Sequence, residues 1–167
     1  MTTQRRSLSP YNTALEAGLR SLFIFGVKSD ASYDLQRLCY YDYLIVHSGD
    51  FEQGPKSLHP AIPLRSGEFI VRRRLIEAGL TLYLSRGLIE RRLRPSGIEY
   101  SSSQLTAPFL AHFASEYAKR LSENAAWVIS TFDQYTNDSL QDYFRKHIDQ
   151  WGNEFVSVPS LEEEWTA

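Results

Sequence analysis

A mainly α-helical fold is predicted by three features of this 167-residue chain. Apolar residues recur at three- and four-residue spacing in five separate stretches, the period of helices that bury one face. Glycines stand where the stretches stop, at Gly26, Gly49, Gly87 and Gly152, and glycine is a common helix terminator because it enters the left-handed region freely. One segment alone, after Gly87, reads as two strands around a Pro95-Ser96-Gly97 turn. Three helices and then a hairpin is the order of a winged helix-turn-helix, here followed by C-terminal helices.

The elements follow in order. Asn12 or Thr13 caps a first helix that carries Leu15, Leu19, Leu22 and Phe23 on one face and stops at Gly26. Ser32 or Asp34 starts a second helix, with Leu35, Leu38, Cys39, Tyr43 and Val46 at helical spacing. Residues 48–66 then form a loop with Gly49, Gly54, Pro55, Pro60 and Pro63 and no period. Connections longer than about 12–15 residues in a compact domain are usually functional or disordered. Ser66 caps the third helix, which points Phe69, Ile76, Leu80, Tyr83 and Leu84 inward and ends at Gly87. Strands over 88–93 and 98–101 make the wing, where Pro95 suits the first central turn position and Gly97 supplies positive φ.

Thr106 and Pro108 open a further pattern through Leu110, Phe113, Tyr117, Leu121, Ala125, Val128 and Phe132, a single long helix with a break allowed near Ser115. Asn137 or Asp138 caps a last helix bearing Leu140, Tyr143, Phe144, Ile148 and Trp151. The organisation is therefore an N-terminal arm (1–11), a winged-helix-like domain (12–103) containing the 48–66 loop, a helical extension packed on it (104–155) and an acidic tail (156–167).

Composition narrows the class. Hydrophobic residues make up 43% of the chain, enough for a filled core without disulfides or metal. Cys39 is the one cysteine, which excludes an internal disulfide and fits a reducing cytosol. Residues 1–10 lack the apolar region of a secretory signal, and no run approaches the roughly 20 apolar residues of a membrane span, so a cytoplasmic protein with no membrane role is expected. The net charge of −2 hides an asymmetry: from Arg65 to Arg94 eight basic residues face three acids, and from Asp133 onward eight acids face two basic residues. Opposite fields suit a subunit that meets two different partners.

Catalytic motifs are absent. His47, Ser48, Asp50 and His59 gather around the long loop, yet the histidines lack H-E-x-x-H spacing and Ser48 lacks the glycines of a nucleophile elbow. No Gly-rich phosphate cradle exists, and no cofactor, metal or small-molecule substrate is expected; the chain reads as a non-enzyme. His47, Asp50 and His59 stand as an interface loop. Arg65, Arg72, Arg73, Arg74, Arg86, Arg91, Arg92 and Arg94 are the candidate partner- or DNA-binding residues. Arg72, Arg73 and Arg74 fan around a helix, so at most two of them share a surface. The third helix offers Thr81 and Ser85 alone for base edges, which disfavours sequence-specific reading.

Several stretches carry a resemblance: Leu35-Gln36-Arg37-Leu38, the run from Asp42 through His47-Ser48-Gly49-Asp50, Ser57-Leu58-His59-Pro60, Arg65-Ser66-Gly67-Glu68, Arg72-Arg73, Ser85-Arg86-Gly87-Leu88-Ile89 and Ala125-Ala126-Trp127-Val128. Together they resemble the middle component of ABC-three-component defence systems, with the Lamassu LmuC subunits as the nearest named kind. The resemblance implies a small non-catalytic subunit that links an SMC- or Rad50-like ABC ATPase to an effector, such as a nuclease, in a complex that senses foreign DNA. Sequence-independent contact with double-stranded DNA is a further expectation that the arginines allow. A stand-alone winged-helix transcription regulator is the alternative reading.

Overall fold

The computed structural model describes residues 13–60 and 66–149, apart from the side chains of 66–69, 148 and 149. The N-terminal arm, Asn12, Arg65, Trp151, Gly152, the acidic tail and the side chains of Phe69 and Ile148 lie outside the described residues.

Helix α1 (Ala14–Val27) begins at a capping box: the Thr13 hydroxyl accepts from the Glu16 amide, and the Glu16 carboxylate accepts from the Thr13 amide. Two of the amides that a helix start leaves unpaired are satisfied in this way. Strand β1 (Ser32–Asp34) runs directly into α2 (Leu35–Val46), whose cap Asp34 accepts from the Arg37 amide at 2.7 Å. A 3₁₀ turn (Ser48–Asp50) opens the long loop. Helix α3 (Ser66–Ser85) leads through Gly87, at φ 69°, to β2 (Ile89–Arg94) and β3 (Gly97–Ser102). Helices α4 (Thr106–Leu110), α5 (Glu116–Phe132) and α6 (Asn137–Asp149) complete the described chain.

The fold is mainly helical with one small antiparallel sheet of strand order β1-β3-β2. Strand β1 is the unexpected element. Three residues, Ser32-Tyr33-Asp34, pair with Ser101, Tyr100 and Glu99 of β3. The stretch over 106–132 forms two helices, with the break where the sequence allows one: Ser115 accepts from the Ala118 amide at 3.1 Å and caps a fresh helix. The strands also extend past the expected 88–93 and 98–101, to Arg94 at the turn and to Ser102 at the base.

Leu22, Ile24, Phe25, Leu38, Tyr41, Leu44, Ile45, Ile76, Leu80, Leu121, Val128 and Phe132 are the centre of the core. Helices α1 and α3 touch backbone to backbone. A Cβ on Gly79 would lie 2.3 Å from the Ala14 carbonyl oxygen, and one on Gly18 would lie 2.5 Å from the Tyr83 ring. Leu15, expected inward, is 55% exposed. Phe113 and Tyr117 are also exposed, since the chain bends at Ser115 instead of continuing the apolar stripe.

Three devices hold the later helices to the earlier part of the chain. The Arg37 guanidinium donates to the carbonyls of Phe132, Asp133 and Tyr135 and to the Asn137 side chain, fixing the α5–α6 turn on α2. Phe51 from the long loop sits among the rings of Tyr43, Trp127, Phe132, Tyr143 and Phe144. Asn124 of α5 donates to the Ile45 carbonyl and the Ser48 hydroxyl at 2.9 Å and to the Lys56 carbonyl at 3.3 Å. The described part of the loop is thereby packed onto the body.

Candidate partner-binding surface

Side chains on a strand alternate between faces, so the β2–β3 hairpin sorts its residues into two rows. Ile89, Arg91 and Leu93 share a face with their partners Ile98 and Tyr100. Ile89 is 2% exposed, whereas Leu93 is 83% and Ile98 43% exposed. The apolar row therefore starts in the core and runs out into solvent. The opposite row holds Glu90, Arg92, Arg94 and Glu99. There Arg92 meets Glu90 at 3.4 Å, both about half exposed, and Arg94, half exposed, meets the more buried Glu99 at 3.5 Å. Contacts of this kind contribute little to stability, but they neutralise two of the wing's three arginines.

The eight candidate arginines do not form one surface. Arg74 and Arg86 are exposed, as are Arg91, Arg92 and Arg94, and Arg73 is half-buried. Arg73, Arg91 and Glu77 all lie near Tyr100, whose phenol pKa is raised by burial first and by Glu77 next, with the two arginines opposing. Arg65 lies outside the described residues. Arg72, expected at the surface, is instead 6% exposed and donates to Asp42, itself fully buried.

Asp42 also accepts from Arg20, through Nε at 2.5 Å and Nη2 at 3.2 Å. Burial alone would raise the Asp42 pKa, but the attraction of Arg20 and Arg72 prevails and holds it below the usual carboxylate range. Around this centre lie the two loop histidines. His47 is 2% exposed and packs against Tyr43, the two rings tilted by 41°. Burial first, then the nearby positive charge of Arg72, lowers its pKa to about 4, so it is neutral at neutral pH. His47 is thus an internal residue. His59 contacts the Tyr117 hydroxyl at 3.2 Å, and Asp50 is exposed on the loop. Arg20 Nη1 has no hydrogen-bond partner among the described residues.

Arg20, Asp42 and Asn124 were not singled out from sequence. Arg20 and Asp42 stand on different helices and no local pattern joins them. Asn124 did leave a signal, a polar residue one position from Ala125 on the stripe that Leu121 and Val128 continue. Among the described residues no group of three His, Cys, Asp or Glu is placed to hold a metal ion. The Cys39 thiol is buried, which pushes its pKa up to about 12 and leaves it unreactive. A cavity of about 330 Å³ is lined by Lys28, Tyr33, Asp34, Arg37 and Asp133 among others, and Lys28, Tyr33, Asp34 and Arg37 each already bond to another protein group. No described helix is long and apolar enough to cross a membrane.

The chain matches the family model of the ABC-three component (ABC-3C) system Middle Component 2 over residues 10–154. It belongs to that family. No curated protein and no solved structure matches it. As a Middle Component 2 protein it is an accessory part of a multi-subunit system and has protein partners. The matched span includes both the hairpin with its exposed apolar row and the buried arginine–aspartate centre.

Proposed function

We propose that this Middle Component 2 protein is a non-catalytic adaptor. It bridges an SMC- or Rad50-like ABC ATPase and an effector, such as a nuclease, in a Lamassu-like bacterial defence complex against phage or plasmid. In this reading α1, α2, α3 and the sheet make a winged helix, the hairpin is its wing, and α4 to α6 are an extension that shapes a second face. The element order helix, strand, helix, helix, hairpin supports the winged-helix assignment.

The observation that carries the adaptor reading is the wing's exposed apolar row, Leu93 and Ile98, beside arginines already matched by Glu90 and Glu99. Such a surface suits a protein partner better than a phosphate backbone. A second surface is available for bridging: residues 100–115 contain no Asp, Glu, Lys or Arg, and Leu105 and Phe113 are exposed within them. Contact with duplex DNA, in this reading, is limited to phosphates and sequence-independent.

The stand-alone regulator needs base-reading side chains on α3. Thr81 and Ser85 instead donate to the carbonyls of Glu77 and Leu82 in their own helix, which weakens that alternative. Co-expression of the full chain with the ATPase and effector encoded beside it tests the proposal. A stable co-purifying assembly is expected, and a chain that elutes alone as a palindrome-binding dimer would favour the regulator.

A further inference from the structure

Strand β2 is the outermost strand of the sheet, so one side of its backbone has no neighbouring strand among the described residues. Arg94 and Gly97 flank a two-residue turn, and the pair that closes such a turn exchanges both its hydrogen bonds. By alternation, the backbone groups of Arg92 and Glu90 also face β3, while those of Arg91 and Leu93 face outward. From Glu90 to Arg94 every residue is exposed, so nothing in the described chain covers this edge.

Edge strands commonly carry charges that deter unwanted pairing, and the three arginines provide some of that protection. A purely guarded edge has no need of the other face, where Leu93 is 83% exposed opposite Ile98. A five-residue open edge with Leu93, Ile98 and Arg91 on one face and two arginine–glutamate pairs on the other is equipped to select what pairs with it.

We infer that the outer edge of β2 accepts an extended segment of a protein partner as a fourth strand, and that one face of this segment carries both an apolar side chain and a carboxylate. The apolar side chain covers Leu93 and Ile98, and the carboxylate meets Arg91, which stands on the same face. Arg92 and Arg94 already face Glu90 and Glu99 on the other side, whereas Arg91 is exposed and has no ion pair among the described residues, so the uncompensated charge lies beside the apolar pair. Duplex DNA fits less well. A surface that tracks phosphates gains from uncompensated cations, and both glutamates stand on the face that holds two of the three arginines. The inference rests on the adaptor reading and specifies where and how one partner attaches.

Hydrogen–deuterium exchange of the full chain, alone and in the co-purified assembly, is the test. The amides of Arg91 and Leu93 are expected to exchange at least about tenfold more slowly in the assembly. In parallel, Leu93→Pro removes an outward amide at a position where edge strands tolerate proline. It is expected to reduce partner recovery about tenfold or more, whereas Leu93→Val, which keeps the amide and an apolar side chain, retains recovery. Should Leu93→Pro lose the wild-type thermal unfolding profile, the exchange measurement alone decides. An assembly that forms with both amides unprotected overturns the strand-addition site and leaves the adaptor reading intact. Protection that appears only when duplex DNA is added assigns the edge to DNA and overturns it too. Failure of the wild-type chain to co-purify sinks the adaptor reading and this inference with it.

Discussion

Asp42 is enclosed between two guanidiniums, those of Arg20 and Arg72, with no exposure to water. Replacing a buried ion pair with apolar groups is often neutral, but removing one partner strands the others in a medium that solvates them poorly. Asp42→Ala is therefore expected to destabilise the fold by about 3–5 kcal/mol, read as a lower midpoint in urea denaturation. His47 adds a pH dependence of defined sign. Its pKa is about 4 in the fold against 6.5 for an ordinary histidine, so between those values only the unfolded chain takes up the proton. The contribution of His47 is complete above pH 6.5 and is lost as pH falls toward 4, with a slope of at most about 1.4 kcal/mol per pH unit. Asp42, whose pKa is lowered from 3.8, acts in the same direction in a separate, more acidic window. His47→Phe keeps a ring against Tyr43 and is expected to narrow the stability difference between pH 7 and pH 5. An unchanged difference would show that His47 does not titrate as its burial requires.

At the scale of elements, Asn124 decides whether the long loop is part of the body. Its amide bonds the loop at Ser48 and Lys56 and the end of α2 at Ile45. Asn124→Ala leaves buried acceptors without a donor, at a cost of about 1–3 kcal/mol. The amides of residues 48–60 are expected to exchange faster in that variant while those of β2 and β3 do not change. Helix starts were legible in the sequence because the signals are local: Thr13 bonds Glu16, Asp34 bonds Arg37, and Ser115 bonds Ala118, each within three residues. The hairpin was legible for the same reason, through Pro95 and Gly97. Strand β1 was not, because its three residues acquire their register only from β3, some 67 positions away in the Ser32–Glu99 contact. The inward turn of Arg72 was not legible for a related reason. Helical spacing separates it from Arg73 and Arg74, but only the distant Asp42 determines that it is the one turned inward. The wing's charge pairing needed the strand register, which puts Glu90 and Glu99 on the same side as Arg92 and Arg94.

For the molecule as a whole, the question is how much of its basic character is available to a polyanion. The dense run of arginines reads as a phosphate-binding surface when counted along the chain. Folding removes Arg72 to the interior and sets Arg92 and Arg94 against glutamates. Of the candidate arginines in the described residues, Arg74, Arg86 and Arg91 remain exposed and form no ion pair there. Each neutralised phosphate releases condensed counterions, so log affinity for B-DNA falls against log salt with a slope of about −0.9 per contact. Contacts through these three exposed arginines correspond to a slope of about −3, shallower than that of a protein that makes about six to ten contacts with duplex DNA. Fluorescence anisotropy with a labelled duplex, across roughly 50–200 mM salt, is expected to give weak binding with that shallow dependence and no preference among sequences. A slope near −6 or beyond would mean that the arginines act together on DNA after all, and that the wing's pairing with Glu90 and Glu99 gives way to phosphate.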